Sequence, residues 1–228
     1  MAPSPTVFAH EALAVVVQVR DGQLCVLLWR RGQAPQRHRW ALPGGRLAAG
    51  EDLESSIARH LATKVDVTEL RHLEQLTTLS APRRHPGERL VATTFLGLVP
   101  SDAEPSLPAD TVWHPTDDLP PTAFDHGDAI RAGVERLRAK LSYTNIGFAL
   151  APRLFTISEL RRLYRAALGH DVSATNLQRV LVRRHLLEAT GSRRDSGPSG
   201  GRPAELYCFR ARTLEITDQF AVLRPPTT

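Results

Sequence analysis

Lysine is almost missing from this chain: among 228 residues only Lys64 and Lys140 carry an ammonium, so its 29 basic side chains are nearly all arginine. Cysteine is scarce too. Cys25 lies in an apolar run and Cys208 between Tyr207 and Phe209, far apart, which suggests two small buried side chains in a reducing compartment rather than the halves of a disulfide. No stretch approaches the roughly 18 apolar residues of a membrane span. The start, Met1-Ala-Pro-Ser-Pro, has neither the basic nor the apolar region of a secretory signal, so the expected location is the cytoplasm, with no membrane partner. The hydrophobic share, 42%, is that of a globular protein.

The charge present is unevenly spread. Residues 1–150 hold 16 Lys and Arg against 17 Asp and Glu, whereas residues 151–228 hold 13 arginines against 7 acids. A surplus concentrated in the last third points to a polyanionic partner there. An arginine-rich solvated surface would give the same count, so composition leaves both readings open. The length suits two domains, divided at 1–145 and 146–228.

In the first part, residues 12–19 and 24–29 are β-rich runs joined by Arg20-Asp21-Gly22-Gln23, a hairpin signal. Residues 76–79 and 90–99 read as further strands around Pro82-Arg83-Arg84-His85-Pro86-Gly87, and Val112-Trp113 as a short strand within a proline-rich connection, 100–121. Pro43-Gly44-Gly45 reads as a turn that feeds a helix whose Leu53, Ile57 and Leu61 recur at four-residue spacing. Asp125 is placed to cap a last helix with Ile130, Val134, Leu137 and Leu141 on one face. One helix on either side of a mixed sheet makes an α/β/α sandwich.

Gly45, Glu51 and the run Arg59-His60-Leu61-Ala62-Thr63-Lys64-Val65-Asp66-Val67 resemble the Nudix box, G-x5-E-x7-R-E-U-x-E-E-x-G-U with U apolar. Positions 60, 63 and 64 share one helical face within a turn. Three glutamates there form a carboxylate cage for Mg²⁺, a hard cation that takes oxygen ligands. His60, Thr63 and Lys64 do not make such a cage, so the expectation is no catalytic residue, no metal site and no enzyme activity by that route. Glu51 and Arg59 read as a fold-stabilising ion pair, and Glu54 as a possible residual ligand.

The resemblance implies a cleft shaped for a nucleoside diphosphate. Around it by sequence lie Arg30, Arg31, Arg37, Arg39 and Arg46, whose guanidinium forks suit phosphate, and Trp40, which can stack on a base or belong to the core. The candidate ligand residues are Arg37, Arg39, Trp40, Arg46, Glu51 and Glu54.

In the last part, Thr156-Ile157-Ser158-Glu159 has the form of a capping box, and Ile157, Leu160, Tyr164 and Ala167 follow on one face before Gly169. Ser173 begins a second helix with Leu177, Val180 and Leu181 facing inward, the spacing of a helix-turn-helix. Thr175, Arg179 and Arg183 make an outward stripe beside Asn176 and Gln178, residue types that read bases in a major groove. Two strands flanking a glycine-rich loop with Arg193, Arg194 and Arg202 look like the wing of a winged helix, its arginines aimed at phosphate or the minor groove. A protein-interaction module is the competing reading; the charge asymmetry and base-reading residue types favour double-stranded DNA.

Taken together, the chain resembles the Nudix-related transcriptional regulators of NAD metabolism, in which a Nudix-like domain precedes a winged helix. The likeness is carried by the stretches 40–45, 118–126, 137–145, 148–150, 155–160 and 201–207. It implies a homodimeric repressor of NAD biosynthesis or salvage genes that needs no cofactor and leaves its operator when ADP-ribose binds. A divergent ADP-ribose pyrophosphatase using Glu51, Glu54 and Glu74 or Glu88 around a metal is the alternative, and a sensor of another phosphorylated metabolite is a third reading.

Overall fold

In the computed structural model, which describes residues 8–195 and 203–217, strand β1 (Ala9–Arg20) is buried on both faces. Because a strand alternates its side chains, Ala12, Ala14 and Val16 enter one apolar cluster while Leu13, Val15 and Val17 enter another. This is why the strand reads as an unbroken apolar run. β2 (Gln23–Arg30) returns antiparallel through Asp21 and Gly22, whose φ values of 49° and 77° match the two-residue turn that suits strand twist.

The sheet runs in the order β3 (Trp40–Ala41), β2, β1, β6 (Leu90–Leu98), β5 (His72–Leu79), with β4 (Gly44–Arg46) on β1 and β7 (Thr111–Pro115) on β2. β1 and β6 are parallel and the other pairings antiparallel, so the sheet is mixed, as expected. β5 begins four residues before the stretch seen in the sequence: His72 and Glu74 hide the apolar pattern but pair with β6 all the same. Pro43-Gly44-Gly45 is not a turn either. Gly44 and Gly45 are strand residues on β1, and a Cβ on Gly44 would lie 2.1 Å from the Ala12 carbonyl oxygen, a close approach that only glycine permits.

Helix α1 (Leu53–Val65) covers one face with Ile57, Leu61 and Val65. Asp52 caps it by accepting from the Ser55 N–H at 2.7 Å. Asp66, where the Nudix pattern has glycine, keeps the left-handed turn at φ 51°. Helix α2 (His126–Tyr143) covers the other face with Ile130, Val134, Leu137 and Leu141. Asp125 stands at its N-cap position without capping it; its carboxylate instead takes two hydrogen bonds from Arg84.

Beyond a 3-10 turn (Ile146–Ala149) come α3 (Ile157–Leu168), α4 (Ala174–Arg183) and the hairpin of β8 (Leu187–Arg194) and β9 (Ala204–Phe209). Thr156 and Glu159 form the reciprocal capping box, Gly169 closes α3 at φ 78°, and Ser173 caps α4. Arg193 and Arg194, read from the sequence as loop residues, are strand residues facing Glu205 and Ala204. Arg202 lies outside the described residues.

The α2-side cluster does not stop at the boundary expected after residue 145. It runs through Ile146, Phe148 and Leu150 to Phe155, Leu160, Tyr164, Leu177 and Leu181. Residues 213–217 return to this junction: the buried Asn145 amide donates to the Thr213 carbonyl at 2.9 Å and accepts from the Glu215 N–H at 2.7 Å. The sequence carries no signal for that return.

Candidate functional site

A cavity of about 660 Å³ opens between the first residues of β1, strand β4, the loop after β2 and the start of α2. Trp29 and Arg31 reach it from the end of β2, Lys64 from α1, and Phe124 and His126 from the approach to α2. Trp29 and Arg31 are two apart and so share a side of the extended chain. Phe124 adopts φ 49°, strained for a bulky side chain. Its N–H is held by the Gln36 side-chain carbonyl at 2.8 Å, and Arg31 lies over its ring, 4.9 Å from the centroid. The rim carries Arg46, which is ion-paired with Glu88.

One wall is fixed by a buried charge cluster. Arg84, its side chain 2% exposed, donates to Asp125 at 2.8 and 2.9 Å and to Glu11 at 2.9 Å. Burial alone would lower its pKa; the hydrogen bonds it donates to Asp125 and Glu11 outweigh that and raise it. His126, fully buried, accepts the Leu42 N–H on Nδ1 at 2.9 Å. Burial holds its pKa down to about 3, so it is a neutral imidazole with its proton on Nε2.

The residues singled out in the sequence divide. Arg46 lines the cavity. Arg37 and Arg39 are exposed on the loop before β3 and do not line it. Trp40 does not line it either: half-buried, its ring meets His114 edge-on at 4.4 Å and packs on the α2-side core. Glu51 accepts from Arg59, which together with the Ala48 N–H holds its pKa down to about 2. Glu54 is exposed on the first turn of α1. Lys64, read from the sequence as part of the cage face but not as a ligand residue, lines the cavity, and Trp29, Phe124 and His126 were missed. The two-residue step from Trp29 to Arg31 was a usable signal; the arrival of Phe124 and His126 from across the chain was not.

The carboxylates needed by the pyrophosphatase alternative are scattered. Glu51 is bound to Arg59, Glu54 faces solvent, and Glu88 pairs with Arg46. Glu74 sits on β5 against Lys140 at 2.8 Å. Among the described residues no group of three or more His, Cys, Asp or Glu is placed to hold a metal ion.

On α4, Thr175, Asn176, Arg179 and Arg183 are exposed, and Arg179 donates to the Asn176 side-chain carbonyl at 2.8 Å. Gln178 is half-buried and donates to the Tyr207 hydroxyl of β9 at 3.2 Å, which itself donates to Glu205 at 2.7 Å. Arg193 is exposed on β8. Arg194 is ion-paired with Glu159, the partner of Thr156 in the α3 capping box. The helix thus offers an open face of base-reading residue types, with arginines on the adjoining hairpin.

Family comparisons match both parts of the chain: a NUDIX domain over residues 9–132 and an NrtR DNA-binding winged helix domain over residues 147–209. The chain is 31% identical, over 94% of its length and 86% of the relative's, to the ADPR responsive transcriptional repressor NtrR of Acinetobacter baylyi. It is similar to Shewanella oneidensis NrtR in a crystal structure with a 27mer DNA, at 32% identity and a TM-score of 0.75, covering 88% of this chain and 93% of that one. The NUDIX domain of the same Shewanella protein, crystallised with ADP ribose, matches at 32% identity and a TM-score of 0.53, covering 58% of this chain and 90% of that one.

Proposed function

The chain belongs to the family that joins a NUDIX domain to an NrtR DNA-binding winged helix, and from that membership we propose that it is a DNA-binding transcriptional repressor of NAD biosynthesis or salvage genes, responsive to ADP-ribose. The observation that carries this reading is a likeness that runs through both domains, in order, over 94% of the chain.

The geometry supports the division of labour. ADP-ribose in the 660 Å³ cavity would meet Arg46 and Arg31 with its phosphates and Trp29 and Phe124 with its rings. At the other end Thr175, Asn176, Gln178, Arg179 and Arg183 enter the major groove, while Arg193 and Arg194 hold backbone phosphate. The protein acts as a homodimer on two half-sites, and it needs neither cofactor nor hydrolysis. Residues 1–145 form the effector part and 146–228 the DNA-binding part. Because the two share one apolar core, a ligand that favours one packing of the junction disfavours the other, and the antagonism between ADP-ribose and DNA is reciprocal.

Selection of random duplexes by the purified protein tests the reading. Enrichment of a two-half-site sequence, weakened when selection is repeated with ADP-ribose, is the expected result. Retention of random DNA without enrichment contradicts it.

A further inference from the structure

The face of α1 where Nudix enzymes gather carboxylates carries none here. His60 points its Nε2 at the Arg46 carbonyl, 3.0 Å away, and Thr63 returns its hydroxyl to the Arg59 carbonyl at 2.8 Å. Lys64 reaches the cavity. Its ammonium donates to the Gly44 carbonyl at 2.6 Å and stands 5.4 Å from the Trp29 ring centroid. Glycine at residue 45 gives both side chains room against β4: a Cβ there would come within 2.7 Å of the His60 ring, forcing it to shift, and 3.1 Å of the Lys64 nitrogen.

A divalent cation does not fit this face, since positions 60, 63 and 64 offer a fixed ammonium and no carboxylate, while Glu11 and Glu88 of the cavity are held by Arg84 and Arg46. We propose that Lys64 is the resident cation of the cleft and binds the ligand's diphosphate directly, without a metal ion. The inference rests on the reading of the cleft as a nucleoside-diphosphate site.

Three features build such a role. One of the three ammonium N–H groups is used on Gly44, which anchors the charge and leaves donors for a phosphate. Trp29 faces the ammonium itself in a cation–π contact. Burial and then Arg31, which lines the same cavity, lower the pKa of Lys64. Two cations crowded into one cleft repel each other, and an anion between them relieves the repulsion.

The test is calorimetric titration of the full chain with ADP-ribose and, separately, inorganic pyrophosphate, each in EDTA and in excess Mg²⁺. The wild type should bind ADP-ribose equally in both buffers. K64M, which keeps an unbranched side chain of similar length without the charge, should bind about tenfold or more weakly, as the loss of a charge-assisted bond demands, and K64R should keep most of the affinity. Binding that appears only with Mg²⁺, or K64M matching the wild type, overturns the proposal while leaving the ligand reading intact. Pyrophosphate binding lost in K64M, with ADP-ribose not bound at all, removes the ligand reading and keeps the lysine. Failure of both probes to bind overturns both.

Discussion

His126 shows how one side chain ties the cleft to the fold. Its Nδ1 accepts the Leu42 N–H, and burial keeps the ring neutral with a pKa near 3 against an ordinary 6.5. A folded-state pKa below the unfolded one means that the unfolded chain binds the extra proton first. The stability this histidine contributes is therefore complete above pH 6.5 and is lost as the pH falls from 6.5 toward 3. Between pH 6.5 and 5 the loss should be about 2 kcal/mol, at 1.36 kcal/mol per unit. Urea unfolding at the two pH values checks it: the wild type should lose stability over this window, and H126N, whose amide oxygen can take the same N–H but cannot titrate, should lose about 2 kcal/mol less. Equal losses in the two proteins would contradict the assignment.

At the same scale, much of the cleft was out of reach of the sequence. Trp40 and Trp29 look alike in a linear reading, and only the register of β2 against β3 and β7 puts Trp29 in the cavity and Trp40 against His114. Local signals did better. Glu51 and Arg59 pair across eight residues, as read. The partner of Arg194, by contrast, is Glu159, 35 residues away, and no local pattern announces it.

Among elements, the proposed reading divides the work on DNA between α4 and the β8–β9 hairpin. Arg179 projects from the exposed helix face beside Asn176, and Arg194 belongs to a strand. In anisotropy titrations Arg179→Ala should weaken the selected sequence by about 1–3 kcal/mol and relax base preference at one position. Arg194→Ala should weaken selected and random duplexes alike and flatten the salt slope by about one unit. Equal losses on both kinds of DNA for both variants would refute the division. The elements themselves were legible: the capping box of α3, the Asp21-Gly22 turn and the Leu53, Ile57, Leu61 stripe are short-range chemistry. The first half of β5 was not, because His72 and Glu74 bury polar groups in a network with Lys140 and so interrupt the alternation that marks a strand.

For the whole molecule the decisive feature is the apolar cluster that joins α2 to α3 and α4, with Asn145 binding residues 213 and 215 across the junction. Two domains with separate cores unfold separately; a shared core makes them unfold together. Calorimetry should show one transition, and two resolved transitions would mean that the junction does not couple the parts.

Coupling between the cleft and the DNA-binding face is read out by the affinity for the selected operator, measured by fluorescence anisotropy at fixed salt with increasing ADP-ribose. The dissociation constant should rise by at least about fivefold and then level off as the cleft saturates. An operator affinity indifferent to saturating ADP-ribose would contradict the account.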